Sequence, residues 1–243
     1  MNGKKLSAYT LGAFISVALF IVVVFTSFEL VAFNEGFYAR AQQEYGIAQT
    51  TGISQSDLKD VTHKLLEYCK GNSRSLNMQT TVNGEMREVF DEREKKHMVD
   101  VQKLFMGGFD IRNGALIVFL LLTTALVSVA RKDIYGVLAR SWLATICVLG
   151  VLLAALGVYL MLNFSEAFYQ FHLMFFDNDL WLLDPKTEVL IQMLPEQFFF
   201  TLVRWIVIVA VSSLALLTGV ALFVRHRCKK AAKRPPEPEH VES

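Results

Sequence analysis

The chain has 243 residues, of which 24 are Lys or Arg and 23 are Asp or Glu, so the formal net charge is +1. This balance excludes binding of nucleic acid through bulk positive charge. The hydrophobic fraction is 53%, and much of it lies in stretches without a charged residue, at 6–28, 113–130, 141–165 and 205–224. Each stretch is long enough to cross a hydrocarbon layer of about 30 Å, which excludes a soluble globular protein.

These stretches predict an all-α membrane protein with four transmembrane helices and a small, mostly helical extracytoplasmic domain that contains a short β-hairpin. The predicted segments, in chain order, are a first transmembrane helix (1–33), the extracytoplasmic domain (34–112), a second transmembrane helix (113–130), a cytoplasmic link (131–140), a third transmembrane helix (141–162), an aromatic-rich extracytoplasmic segment (163–196), a fourth transmembrane helix (197–224) and a basic, Pro-rich cytoplasmic tail (225–243).

The orientation follows from the basic residues. The first stretch exceeds the usual 7 to 15 residues of a signal-peptide core and lacks an A-x-A-like exit, which favours an uncleaved anchor. Lys and Arg collect before the first span, in the short link and after the fourth span, at Lys4, Lys5, Arg131, Lys132, Arg140, Arg225, Arg227, Lys229, Lys230, Lys233 and Arg234. In a four-span chain these positions share one side, so both termini are predicted to be cytoplasmic.

The long outer segment contains two local signals. Apolar residues at helical spacing between Ser54 and Gly71 predict a helix over about 55–70, with Ser54 and Asp57 as a capping pair. The dipeptide Asn83-Gly84 between short β-prone runs predicts a hairpin with a two-residue turn.

A further helix is predicted from Asp91, which has Glu94 three residues on, towards the second span, with Gly107 and Gly108 loosening the join. On this helix Arg93, His97 and Asp100 are spaced by four and three residues, so they share one polar face. This pattern fits two interpretations. One is a solvated helix face that happens to carry a histidine, and the other is a functional site.

The short outer segment combines aromatic residues with polar ones. Phe, Tyr and Trp crowd between two spans, as in the aromatic belts of membrane interfaces. Polar groups that are costly at a lipid boundary unless paired or used stand among them, at His172, Asp177, Asn178, Asp179, Asp184, Glu188 and Glu196. Pro195 suits the start of the fourth span and leaves Glu196 near the positive end of that helix.

Two charges interrupt the ends of the spans. Glu29 and Arg204 lie at a similar height along the first and fourth spans. They predict either an ion pair that fixes helix packing or an arginine that binds an anionic group of a substrate.

Metal and cysteine chemistry have little support. Cys69, Cys147 and Cys228 are dispersed so that no two can form an intrachain disulfide. A zinc site built from His97, His172 and a carboxylate stays open, but neither histidine belongs to a zinc motif. No G-x-S-x-G elbow or phosphate loop is present. Histidine-based proton transfer without a cofactor or metal is therefore expected.

The strings REKKHMVDVQKLF and FHLMFFDNDLWLLDPKTEVLIQMLPEQFF resemble the bacterial lipoprotein intramolecular transacylase family, called Lit. The motifs HM-x-DV, FH, FF-x-N-x-x-W and LPE carry the resemblance. It implies an enzyme of the bacterial cell membrane, most often in Gram-positive organisms. The enzyme would move the sn-2 acyl chain of a diacylglyceryl lipoprotein to the α-amino group of the N-terminal cysteine. The family's histidines would fall on His97 and His172.

We expect His97 to act as the base, Asp100 to fix its tautomer or to hold it through a water, and Arg93 to face the developing negative charge, with His172 as acid or oxyanion donor. The predicted substrate-binding residues are Asn178, Trp181, Asp184, Glu196, Arg204 and Glu29. The implied partners are diacylated lipoproteins and membrane lipid. Two alternatives stay open: a lipid or lipoprotein acyl-hydrolase that uses the same histidines, and a non-enzymatic four-span sensor or assembly protein.

Overall fold

The computed structural model describes residues 3–232 of the chain. These residues form, in chain order, α1 (Gly3–Ala32), α2 (Glu35–Glu44), α3 (Ile47–Thr51), α4 (Gln55–Cys69), β1 (Gln79–Val82), β2 (Glu85–Glu88), α5 (Glu92–Ala130), a 3₁₀ turn (Arg131–Asp133), α6 (Ile134–Leu162), α7 (Phe164–Phe175), α8 (Val189–Met193) and α9 (Glu196–Ala232). Four of the helices, α1, α5, α6 and α9, are long and apolar enough to cross a membrane. The prediction of an all-α membrane fold with one short hairpin is confirmed.

The locally encoded elements form where their sequence signals stand. Ser54 caps α4, because its hydroxyl accepts a hydrogen bond from the Asp57 amide at 3.1 Å. Gly71 follows the helix with a φ of +81°, which suits glycine. Strands β1 and β2 pair antiparallel, and Asn83 and Gly84 both adopt positive φ, as a type I′ turn requires.

Helix α5 is longer than the sequence pattern suggests. Its start is closed by a reciprocal capping pair, in which Glu94 accepts from the Asp91 amide at 2.6 Å and Asp91 accepts from the Glu94 amide at 2.8 Å. The expected loosening at Gly107 and Gly108 is wrong, because the helix continues through both to Ala130. Glycine costs about 1 kcal/mol in a helix interior, which the long apolar stretch that follows can offset.

Two further segments are more helical than the sequence analysis indicated. The link predicted at 131–140 is helical from Ile134 onwards, and α2 and α3 occupy a region for which no element was predicted. The signal for α2 is present in hindsight, since the Asn34 side chain accepts from the Phe37 amide and caps the helix.

The described chain divides into two compact units, one within 3–23, 114–154 and 211–232 and the other within 24–113 and 155–210. In the first unit, Leu126 and Trp142 are buried, and the Trp142 indole donates to the Thr218 hydroxyl at 3.1 Å. Gly12 lies so close to Ser141 that a Cβ at this position would come within 2.4 Å of the Ser141 hydroxyl, so glycine permits this approach.

The second unit has a core shared by the two segments that lie between its spans. Leu58 of α4 and Phe90 before α5 are buried with Leu190 and Met193 of α8. Because α8 belongs to the short segment between α6 and α9, this packing ties that segment to the long segment between α1 and α5. The chain just before α8 is thereby held against the start of α5.

Candidate active site

Helices α5 and α7 place the two predicted histidines side by side. His97 lies in the second turn of α5, and His172 lies near the end of α7, both within the second unit. The side chains are 7% and 9% exposed, and the centroids of the two rings are 6.3 Å apart with an interplanar angle of 30°. Residues 75 positions apart in the chain thus share one buried location, which a solvated polar face does not explain.

Aromatic side chains enclose both imidazole rings. The His172 ring contacts Phe168 and Trp181, with centroid distances of 4.5 Å and 4.8 Å. Phe176 bridges the pair, at 5.2 Å from His97 and 5.5 Å from His172. A wall of this kind excludes water and strengthens electrostatic interactions inside it.

The enclosure keeps both histidines uncharged near neutral pH. The pKa of His97 is lowered to about 4, mainly by burial and to a lesser extent by the neighbouring His172, while Asp100 opposes the shift. Burial also lowers the pKa of His172, although the hydrogen bond to Phe168 works against it. Each ring therefore offers a lone pair for a proton at pH 7.

The nitrogens of the two rings have different partners. His172 Nδ1 lies 2.7 Å from the backbone oxygen of Phe168, so in the neutral ring Nδ1 carries the hydrogen and Nε2 is left as an acceptor. His97 Nδ1 is buried and forms no hydrogen bond within the described part of the chain. The Trp181 indole nitrogen is likewise buried and has no hydrogen-bond partner among the described residues. A buried polar group without a partner costs about 1–3 kcal/mol, so both atoms are candidates for contact with a substrate.

Asp100 does not fix the His97 tautomer by a direct hydrogen bond, contrary to expectation. Its carboxylate accepts from Lys103 Nζ at 2.9 Å and from the Asn178 amide at 3.0 Å. Asp100 lies on the same face of α5 as His97, and each of its oxygens accepts one of these two hydrogen bonds. Asp100 and Asn178 thus connect α5 to the segment that follows α7.

Arg93 also contacts that segment. Its guanidinium donates to the backbone oxygen of Asp179, and its Nε lies 4.0 Å from Glu188 Oε1. Arg93 Nε and Glu188 Oε1 are both buried, and neither forms a hydrogen bond among the described residues. The expected role of Arg93 beside a developing negative charge stays a prediction, and its observed role is to hold the chain after α7.

The sequence analysis missed Glu94 as part of the site. Its side chain is 1% exposed, and the carboxylate accepts from the Asp91 amide and the Leu190 amide, each at 2.6 Å. Burial raises the pKa of Glu94 to about 6, against the effect of these hydrogen bonds. Glu94 therefore joins the first turn of α5 to α8. The capping signal was visible in the sequence, but the bond to Leu190 spans 96 residues and leaves no local pattern.

Two of the acidic residues that were predicted to bind substrate, Asp184 and Glu196, form hydrogen bonds within the chain. Asp184 is exposed, accepts from the Lys186 amide at 2.9 Å and donates its own amide to Glu188. Glu196 accepts from the Ser165 hydroxyl, which links the starts of α7 and α9. Their expected contacts with a substrate stay predictions.

Glu29 forms its ion pair with Arg112 instead of Arg204. Arg204 is exposed and forms no ion pair with another described residue. Heights along the helices were similar for Glu29 and Arg204, but a height does not fix which way a side chain faces. Arg112 lies at the matching level of α5 and was not considered as a partner.

Cys69 and His63 are the other candidate reactive groups of the long segment between α1 and α5, and neither belongs to the histidine pair. Cys69 is buried, and burial raises its pKa to about 12, so its thiol is a poor nucleophile. His63 is exposed and pairs with Glu35 at 2.7 Å. No group of three or more His, Cys, Asp or Glu within residues 3–232 is placed to hold a metal ion.

Four apolar spans and a buried histidine pair define a multi-pass membrane protein with a site suited to proton transfer. The family model described as "Lipoprotein intramolecular transacylase Lit" matches residues 13–199. The chain belongs to this family, which is named for a transferase activity.

Solved structures agree with this assignment. The in meso structure of the membrane integral lipoprotein intramolecular transacylase Lit from Bacillus cereus aligns with a TM-score of 0.76 and 16% identity, over 93% of this chain and 99% of that one. Structures of its histidine-to-arginine and histidine-to-alanine variants align at 0.72 and 0.71, with 16% and 15% identity, over 93% of this chain and 96% and 97% of theirs. At this identity the likeness shows the fold. A search of curated proteins found no match.

Proposed function

We propose that this chain moves the sn-2 acyl chain of a diacylglyceryl lipoprotein to the α-amino group of the same molecule's N-terminal cysteine, which leaves an N-acylated lyso-lipoprotein. The observation that carries this proposal is the buried pair of neutral imidazoles, His97 and His172, in a member of the Lit family. Amine and ester already belong to one molecule, so the enzyme has to fold the substrate's head group and move protons.

Proton balance gives each histidine a task. The α-amino group has a pKa near 8 and is mostly an ammonium ion at neutral pH, so it must lose one proton before it attacks and a second one afterwards. His172 Nε2 accepts the first proton, which passes on to solvent. The amine nitrogen then bonds to the ester carbonyl carbon, and His97 takes the second proton. His97 returns that proton to the glycerol oxygen as the ester C–O bond breaks.

The low pKa of His97 agrees with this sequence of steps. A ring that stays neutral down to about pH 4 always has a lone pair ready at neutral pH. The negative oxygen that forms on the ester carbon during attack stabilises a protonated imidazole beside it, so the basicity of His97 rises when the proton arrives. The unpaired indole N–H of Trp181 and the Arg93 guanidinium are the donors that we assign to this oxygen.

The lipid part of the substrate needs an apolar approach. Large apolar side chains on α7 beside His172 are exposed, among them Leu173, Met174 and Phe175. A helix of this kind at the end of a span suits contact with acyl chains. We further propose that the site faces the extracytoplasmic side with both termini in the cytoplasm, as the distribution of Lys and Arg indicates.

A synthetic diacylated lipopeptide with a labelled sn-2 chain tests the proposal. The purified parent protein should shift the label to the amine without a change of substrate mass, whereas a hydrolase would release labelled fatty acid. His97→Gln and His172→Gln should each lower the rate by about 10² to 10⁴. His63→Gln, which alters an exposed histidine on α4, is the matched control and should stay within about twofold of the parent because it lies outside the pair. Rates within tenfold of the parent for both site variants would show that the two-histidine scheme is wrong.

A further inference from the structure

A second site lies in the first unit, distant in sequence from the histidines. A cavity of about 160 Å³ opens between the start of α6 and the end of α9. It is lined by Asp133, Gly136, Arg140, Arg225, Cys228 and Lys229. Pockets that enclose drug-sized ligands measure about 300–1,000 Å³, so this one suits a head group and not an entire lipid.

The lining carries an uncompensated positive charge. Arg140 lies 3.9 Å from Asp133 Oδ1 through its Nη2 and donates to the Tyr9 hydroxyl through its Nη1. Arg225 and Lys229 form no ion pair with another residue in the part of the chain that the structure describes. Three cations thus face one carboxylate, and two of the cations have no counter-charge within residues 3–232.

The height of these cations matches that of lipid phosphates. Arg140 is the last charged residue before the uncharged stretch 141–165, and Arg225 is the first after the uncharged stretch 205–224. Both therefore stand where an apolar span ends. Lys229 is four residues beyond Arg225, so the two side chains lie on one face of α9, and that face lines the cavity.

Gly136 lies close to the charged groups at the α6 wall of the cavity. A Cβ at Gly136 would meet Asp133 Oδ1 and lie 3.2 Å from Arg140 Nη2, so another residue here would displace the end of the Asp133 side chain. The positive-inside rule explains basic residues at the end of a span, but it does not require them to converge from two helices on one recess.

We propose that this cavity binds the phosphate head group of an anionic phospholipid, with Arg140, Arg225 and Lys229 around the phosphate. Basic recesses between transmembrane helices recognise anionic head groups in this way, and each nearby cation contributes a few-fold to affinity. The acyl chains of the lipid would lie outside, along α6 and α9. This site neither requires nor excludes the proposed transacylation, because its test follows lipid binding only.

The test measures binding of dioleoylphosphatidylglycerol and dioleoylphosphatidylcholine to the purified full chain in detergent micelles. The parent should prefer the anionic lipid, and Arg225→Ala combined with Lys229→Ala should weaken its binding about thirtyfold. Arg227→Ala combined with Lys230→Ala removes the same charge from the same helix end, outside the cavity lining. This control pair should change binding by less than about threefold, since screening weakens charges that are not in contact.

Cys228 supplies a second measurement that needs no charge variant. Its thiol lines the cavity and is partly exposed, whereas Cys69 is buried. Phosphatidylglycerol should slow maleimide modification of Cys228 in a Cys147→Ser background, and phosphatidylcholine should not. Equal losses in the two double variants would overturn the proposal, as would equal protection by the two lipids. Equal protection by inorganic phosphate at the same concentration would also overturn it, because the ligand would then be the free anion.

Discussion

At the scale of single residues, burial decides what the two imidazoles can do. His97 and His172 share an aromatic enclosure, and burial is the largest cause of the lowered pKa of both rings. An exposed histidine would be partly charged near its ordinary pKa of about 6.5 and would have no free lone pair in that fraction of molecules. The enclosure therefore keeps both rings available as proton acceptors at neutral pH.

The pH dependence of transfer tests this point. Below pH 8 the value of kcat/KM should fall about tenfold per pH unit, because only the neutral substrate amine attacks and its pKa is about 8. Since the folded pKa of His97 is lowered to about 4, protonation of this ring should add no second factor between pH 7 and pH 5. A plot of log kcat/KM against pH should thus keep a slope near one.

The control for this profile is recovery of full activity when protein held at pH 5 is returned to pH 8. A steeper fall, with a slope near two that begins close to pH 6.5, would mean that an imidazole titrates at its ordinary value. The lowered pKa would then be incorrect for at least one of the two rings, and the same profile measured on His172→Gln and His97→Gln would show which.

At the scale of secondary-structure elements, the first three turns of α5 organise the segment that follows α7. Arg93 holds the backbone at Asp179, Glu94 holds the start of α8, and Asp100 holds Asn178. Trp181, which contacts His172, lies between these attachment points. The geometry around the histidine pair therefore depends on these polar bonds from α5 to the chain on both sides of Trp181.

Glu94→Gln should disturb this arrangement while it keeps the size of the side chain. A glutamine has one oxygen acceptor, so it cannot accept from the amides of both Asp91 and Leu190 as the carboxylate does. One buried amide would lose its partner, at a cost of about 1–3 kcal/mol of unfolding free energy, and transfer should slow by about tenfold through misplacement of the site. Thermal unfolding and the labelled lipopeptide assay measure the two effects.

Glu92→Gln is the matched control, because its side chain is 82% exposed in the same turn and forms an ion pair with the neighbouring Lys95. It should leave the stability and the transfer rate of the parent unchanged. If Glu94→Gln behaved like this control, the bond from Glu94 to α8 would have no role in holding the site.

The elements also show which features a sequence can reveal. The Asn83-Gly84 turn and the Ser54 cap were predicted correctly because their causes lie within four residues of chain. The partners of Glu94 and Asp100 were not predicted, because Leu190 and Asn178 are 96 and 78 residues away and hydrogen bonds at such separations leave no periodic pattern. His97 and His172 were expected to lie together for two reasons. Each stands in a motif that resembles the family, and each lies in a segment between spans, close to a span.

At the scale of the molecule, helix length is easier to predict than helix rotation. Counting residues along α1 and α9 put Glu29 and Arg204 at similar heights, yet Glu29 pairs with Arg112 of α5. The rise per residue is fixed at about 1.5 Å, whereas the direction in which a side chain faces depends on packing among all the helices. Span number therefore followed from composition, and the pairing of charges between spans did not.

The orientation of the spans is the last prediction, and it decides whether the histidine site can meet a secreted lipoprotein. If the hairpin lies outside the cell, a membrane-impermeant maleimide should label Glu85→Cys in intact cells, because this hairpin position is exposed. The control is the chain without Glu85→Cys, with both chains carrying Cys147→Ser. Cys69 is buried, and Cys228 stands among the basic residues predicted to be cytoplasmic, so the control should be labelled only after permeabilisation. Labelling of the control at Cys228 in intact cells, with Glu85→Cys protected, would reverse the topology and place the histidines on the side that secreted lipoproteins have left.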